Sequence, residues 1–216
     1  MEVFIQERLH EILKTTQSIN DPWRRKLAIA SVITQVFEDN DKQPPVVVGG
    51  LVVATYSFGQ YVTEDIDRIS PYNEFPYQVL KALGYKRYGK DSFNKELNSY
   101  VEFPSGDLSG DEGRVLRYDV EETGLHVYVL GVEDIILDRL DAFVATNDGK
   151  SKEWVLKLLS GMYPHIDWSY VHNSAHQRGT LKTLEKMQRL VKRYQGVYEK
   201  MVEETSVSDA KRMDLF

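Results

Sequence analysis

The sequence predicts an α+β (mixed α/β) fold, a mixed sheet over residues 45–131 flanked by N-terminal helices and a C-terminal helical region. Three observations carry this. Apolar residues recur at helical spacing before residue 40, short β-branched runs broken by glycine fill the middle, and helical spacing returns after Gly131. The expected units are helices packing on the core over 1–44, the sheet core over 45–131, the helical region over 132–205 and a flexible tail over 206–216.

Each element has its own signal. Val3, Phe4, Leu9, Ile12 and Leu13 outline a first helix. Asp21-Pro22 is a capping carboxylate followed by proline at the first helical position, and Trp23, Leu27, Ala30, Val36 and Phe37 then share a face. This helix should stop near Asn40, where the chain turns polar and proline-broken. Residues 45–48 form an apolar strand ending in Gly49-Gly50. A helix over 51–56, a turn near Gly59 and a strand over 65–70 follow. Residues 75–83 read as a helix closed by Gly84. Strands are expected over 100–103, 115–120 and 125–130, the last two joined through Glu121-Glu122-Thr123-Gly124 as a hairpin. Ile135, Ile136, Leu140 and Phe143 mark the next helix, and Trp154, Val155, Leu158 and Leu159 the one after. Further helices are expected over 167–176 and 181–201.

Composition narrows the function classes. The 216 residues include 27 basic and 33 acidic side chains, a net charge of −6, so a uniformly basic nucleic-acid coat is excluded while a local basic face is not. With no cysteine there is no disulfide partner, cysteine-ligated metal or thiol nucleophile. No apolar run approaches the roughly 20 residues that span a bilayer. Residues 1–13 read as an amphipathic helix and not as a secretory leader. A cytoplasmic protein with no membrane partner is expected.

The most informative stretch is Val46-Val47-Val48-Gly49-Gly50 followed by Thr63-Glu64-Asp65-Ile66-Asp67. On a strand, Asp65 and Asp67 project to one side and Ile66 to the other. Two carboxylates so placed repel unless a cation sits between them, and a hard divalent ion with oxygen ligands, Mg²⁺ for preference, supplies it. A strand running through Gly-Gly into a helix lets the backbone approach a phosphate and offers it free N–H groups. The bland readings stand beside these: surface acids at a strand end, and a structural turn before a packed helix.

VVVGGLVVATYSFGQYVTEDIDRI resembles the signature of nucleotidyltransferase-fold proteins, in particular small bacterial ones similar to abortive-infection toxins of toxin–antitoxin pairs. The later VEFPSGDLSGDEGRV and VEDIILDRLDAF are similar to one such subgroup. The resemblance, over about residues 45–160, implies an enzyme that transfers a nucleotide from a nucleoside triphosphate with loss of pyrophosphate. It implies two Mg²⁺ ions, with Mn²⁺ as a substitute, held by Asp65, Asp67 and a third carboxylate on a neighbouring strand, for which Glu102 is the candidate. Gly49 and Gly50 would cradle the triphosphate. The hydroxyl acceptor is left open among tRNA or other RNA, protein and a small molecule.

The sequence also departs from that pattern. Arg139 stands where toxin-type members carry lysine, and Lys152-Glu153 is the nearest equivalent of a later basic–acidic pair; both bases are candidate nucleotide contacts. The bland readings are Arg139 balancing Glu133, Asp134, Asp138 and Asp141, against which the phosphate role is favoured, and Lys152 as a solvated helix residue, which is favoured for it. Arg68 stands where an apolar residue is common. A catalytically degenerate nucleotide-binding module, or an interaction module binding a protein through the C-terminal helices, are the competing readings. His172 and His176, four apart, read as a structural pair because Asn173 replaces the glutamate of a zinc motif. His126 reads as a packing residue. The stripe Lys182, Lys186, Arg189, Lys192 and Arg193 is a solvated face or a contact to RNA phosphates.

Overall fold

Eight helices and seven strands are present among the described residues of the computed structural model, which are 3–104 and 106–206, with the backbone alone described over 194–206. The helices are α1 (Glu7–Thr15), α2 (Pro22–Asp39), α3 (Gly49–Tyr56), α4 (Phe75–Ala82), α5 (Val132–Thr146), α6 (Gly149–Met162), α7 (Trp168–Gln177) and α8 (Leu181–Ser206). The strands are β1 (Val46–Val47), β2 (Asp65–Ile69), β3 (Lys86–Tyr88), β4 (Asp91–Asn94), β5 (Ser99–Glu102), β6 (Leu116–Val120) and β7 (Leu125–Val129). They form one mixed sheet in the order β3-β4-β5-β2-β1-β7-β6, parallel at β1–β7 and β2–β5 and antiparallel elsewhere. The fold is the mixed α+β class that the sequence predicts. The tail expected over 206–216 lies, past Ser206, outside the described residues.

Local chemistry accounts for most boundaries. The Asp21 side chain accepts a hydrogen bond from the Trp23 N–H at 3.1 Å, with Pro22 in the first turn, and so starts α2 where expected. Leu27, Ile33, Val36 and Phe37 of α2 are buried in the core. Gly84 adopts a left-handed conformation just after α4, the common helix stop. Helix α3 begins at Gly49, two residues before the expected start, and buries every side chain from Leu51 to Tyr56. Helix α8 runs five residues past its expected end. No helix among the described residues is long and apolar enough to cross a membrane.

Two findings lie outside the sequence-based expectations. The first is the hairpin β3–β4. All three β3 side chains are exposed and polar or amphipathic, so this edge strand carries no apolar alternation to read. The second is Arg68. It is fully buried, on the face of β2 opposite Asp65 and Asp67. Its guanidinium donates to the Ala30 carbonyl at 2.7 Å, the Thr34 hydroxyl and the Pro45 carbonyl at 2.9 Å, while Nε has no partner. Burial pushes its pKa down to about 9. Arg68 thus ties β2 to α2 and to the entry of β1.

The loop between β5 and β6 is anchored by acids of α5. Asp134 is buried and accepts from the Asp111 N–H at 3.0 Å and the Tyr170 hydroxyl at 2.7 Å. Glu133 accepts from the Asp167 N–H at 2.9 Å and faces Arg114 at 3.7 Å. Arg114 also donates to Asp167 at 2.8 Å and lies 3.8 Å from the Tyr170 ring centroid. A side chain at Gly110 would come within 2.6 Å of the Asp134 carboxyl carbon, so the loop sits directly on α5.

Candidate active site

The site is built on β2. Its alternation is half-buried, buried, half-buried, which puts Asp65 and Asp67 on one face and Ile66 in the core. The parallel register with β5 sets Asp65 beside Tyr100 and Asp67 beside Glu102. One carboxylate oxygen from each of Asp65, Asp67 and Glu102 lies within 4.8 Å of the other two. Among the described residues this is the only group of three His, Cys, Asp or Glu side chains so gathered. The structure therefore brings together the three acids singled out from the sequence.

Their electrostatics are unfavourable unless a cation joins them. Asp67 is pushed up to about 7, first by burial and then by the charges of Asp65 and Glu102. Lys90, at the β3–β4 turn, donates to both Glu102 oxygens at 2.9 and 3.0 Å, and its own pKa is raised by that bond. The Thr63 hydroxyl donates to Asp65 at 3.0 Å. An all-oxygen donor set, crowded enough to resist its own ionisation, suits a hard divalent cation such as Mg²⁺ or Mn²⁺.

The glycine pair lies against these acids. The Val48 N–H bonds the Asp67 carbonyl at 2.9 Å, which sets the start of α3 beside the Asp67 side chain. Gly49 has φ +66°, and a methyl group there would overlap the Asp67 carboxylate oxygen; a methyl at Gly50 would come within 2.6 Å of Thr63 Oγ1. No side chain caps the first turn of α3, so its N–H groups present their dipole to whatever occupies the adjoining cleft. That cleft has a volume of about 320 Å³ and is lined by Gly49, Gly50, Asp67, Asp107, Arg139 and Trp154 among others.

The two bases named from the sequence part company here. Arg139 lines the cleft, bonds the neighbouring Asp138 and lies 5.0 Å from the Trp154 ring centroid. The wider acidic face around it does not exist as a solvated surface, because Glu133 and Asp134 are buried and Asp141 pairs with Arg178. Lys152 is exposed on α6 and is not among the residues lining the cleft. His172 bonds Gln188 and packs near Trp168, a structural contact, and His126 bonds Glu38.

Several residues at or near the acids were not legible in advance. Lys90 sits on the hairpin without apolar alternation; only the Gly89-Lys90 turn between Tyr88 and Phe93 hints at it. Trp154, Asp107 and Ser109 reach the cleft from segments remote in sequence.

With this geometry in hand, comparison with known proteins gives one match. Residues 25–206 fit the model of a family described as "Nucleotidyltransferase of unknown function (DUF6036)". No curated protein and no solved structure matches.

Proposed function

The chain belongs to this nucleotidyltransferase family, and from that premise we propose that it moves a nucleoside monophosphate from a nucleoside triphosphate to a hydroxyl acceptor, dependent on Mg²⁺. The observation that carries the reading is the carboxylate group Asp65, Asp67 and Glu102 set against the uncapped first turn of α3. The three acids would hold two Mg²⁺ ions, whose chemistry when bound is to stabilise charge on the reacting phosphate and on the leaving pyrophosphate. The chain's own groups bind and orient. The N–H groups at Gly49 and Gly50 receive phosphate oxygens, with Arg139 as a bidentate cation on the same cleft. Glu102 or Asp65 takes the proton of the attacking hydroxyl. Lys90 holds Glu102 and would yield that carboxylate to a bound cation.

The non-catalytic alternative had two motives in the sequence, Arg68 and the replacement of lysine by Arg139. Arg68 faces away from the carboxylates, so it subtracts nothing from the site. Calorimetry with the four ribonucleoside triphosphates, with and without Mg²⁺, tests the proposal. Wild-type protein should bind at least one of them in a Mg²⁺-dependent manner, and Asp65→Asn should not. Equal binding by that variant would sink the metal–nucleotide site. Tight binding with no pyrophosphate release under any acceptor would favour the non-catalytic reading.

A further inference from the structure

The face of the sheet that carries the acids does not end at Glu102. The register continues it outward through β5, β4 and β3 in two rows. One row runs Asp67, Glu102, Asp91, Tyr88, and the other Asp65, Tyr100, Phe93, Lys86. The opposite face of β2, β5 and β4 is inward, with Ile66, Val101, Ser92 and Asn94 buried. On the outer face the rings of Phe93 and Tyr100 stack, 4.4 Å between centroids and 29° between planes. Tyr100 is 47% exposed and Tyr88 61%, so both rings are open to solvent.

Asp65 and Glu102 border Tyr100 on the side of the reaction, and cations gather beyond Phe93 on the other. Lys86, Tyr88 and Phe93 also line a groove of about 580 Å³ whose other wall is α1, and Lys14, Lys86 and Lys95 border it. Glu96 is the single acid on that lining among the described residues. In a chain of net charge −6 this is a local reversal of sign. Lys90 adds a further cation where the shelf meets the acids.

Position relates the shelf to the reaction. The phosphate-sized cleft lies on the β1 side of β2, the shelf on the β5 side, and the acids stand between them. Phosphoryl transfer places the attacking and leaving oxygens roughly in line. With pyrophosphate leaving on the cleft side, the acceptor hydroxyl enters from the shelf. Stacked rings, with Tyr100 open to solvent and Lys86, Lys95 and Lys14 beyond Phe93, suit unpaired bases joined by phosphates.

We propose that the Tyr100–Phe93 shelf binds single-stranded nucleic acid and presents its terminal hydroxyl to the carboxylate group as the acceptor. In that step the hydroxyl oxygen bonds to the α-phosphorus and the bond to the pyrophosphate oxygen breaks. Pyrophosphate leaves with the electron pair, and the hydroxyl proton passes to a carboxylate. The proposal rests on the nucleotidyltransferase reading for the transfer, but the shelf is testable by itself.

The test is fluorescence anisotropy with labelled single-stranded oligonucleotides of about twelve residues, RNA and DNA of one sequence, against the full chain. Wild type should bind, more weakly as salt rises. Tyr100→Ala and Phe93→Ala should weaken binding about tenfold or more, Tyr100→Phe should restore it, and Lys86→Glu with Lys95→Glu should weaken it further. Thermal melts of the variants separate loss of binding from loss of fold, and Lys86→Glu with Lys95→Glu carries the test if the alanine variants unfold. Equal affinity for RNA and DNA, or a preference for RNA, both support the shelf. Tyr100→Ala should keep Mg²⁺-dependent triphosphate binding, and Asp67→Asn should lose it while still binding the oligonucleotide. Failure of the nucleotide arm alone overturns the enzymatic reading and spares the shelf. No oligonucleotide binding by folded wild type overturns the shelf, as does binding indifferent to both rings. Binding abolished instead by replacing Lys182, Lys186 and Arg189 on α8 would put the nucleic acid elsewhere and overturn it too.

Discussion

Two acidic clusters in this chain look alike as text and behave as opposites. Glu133 and Asp134 on α5 are buried, yet donors answer them: two backbone N–H groups, the Tyr170 hydroxyl and the Arg114 guanidinium. Asp65, Asp67 and Glu102 are less buried but face one another, with Thr63 and the exposed Lys90 as donors from side chains. Burial alone therefore does not mark a functional acid. A carboxylate whose charge the protein has already met is architecture; one left beside like charges is arranged for something from outside.

The sharpest way to break this comparison is to exchange the fates of the two clusters. Asp65→Asn or Asp67→Asn should lower transfer by about a thousandfold or more, with no loss of thermal midpoint. A pyrophosphate-release assay beside a melting curve checks both halves; full activity in both variants would end the distinction. Asp134→Ala should do the reverse. It leaves the Asp111 N–H and the Tyr170 hydroxyl without a partner in a buried network, and denaturant unfolding should show a loss of about 3 kcal/mol, while the folded fraction still binds triphosphate.

Gly49→Ala comes next. The added methyl displaces the Asp67 carboxylate and strains a left-handed residue, so calorimetry should show about a hundredfold weaker Mg²⁺–nucleotide binding, at a stability cost of about 1–2 kcal/mol. A smaller effect is the pH dependence that Asp67 imposes. Its folded pKa, about 7, lies above its unfolded value, so between the two the folded state binds the extra proton. Stability of chelator-treated protein should then fall as pH rises from about 4 to 7, by on the order of 2 kcal/mol after solvent screening. Asp67→Asn should flatten that slope in parallel melts, and Mg²⁺ should restore stability most at the alkaline end. Smallest of all, Lys90→Ala should leave the melt unchanged and tighten Mg²⁺ binding a few-fold, since the ammonium no longer competes for Glu102.

The same comparison shows what could be read from sequence. Period-two spacing was enough to place Asp65 and Asp67 on one face, because Ile66 between them had to be buried. The Gly-Gly pair was legible for a reason visible only in space: Gly49 is glycine because Asp67 occupies the room of its side chain. Arg139 and Lys152 were both candidates as text, the first leaning to phosphate and the second to solvent, and the packing of α5 and α6 sets one on the cleft and the other in solvent. The hairpin β3–β4 stayed hidden because its first strand buries nothing. With it stayed Lys90 and the exposed rings, whose meaning comes from a register that pairs residues from three strands.

Arg68 has a consequence for how the molecule comes apart. Its charge is met by two carbonyls and a hydroxyl contributed by residues 30, 34 and 45, all N-terminal to the strand it holds. A polypeptide trimmed to begin at the sheet would leave that guanidinium under β2 without acceptors, in a layer built to exclude water. The strand bearing Asp65 and Asp67 would then lose its depth and its alignment with β5. The helical prelude is in this sense the foundation of the acidic site, and the smallest piece of this chain able to keep the site in shape must include α2.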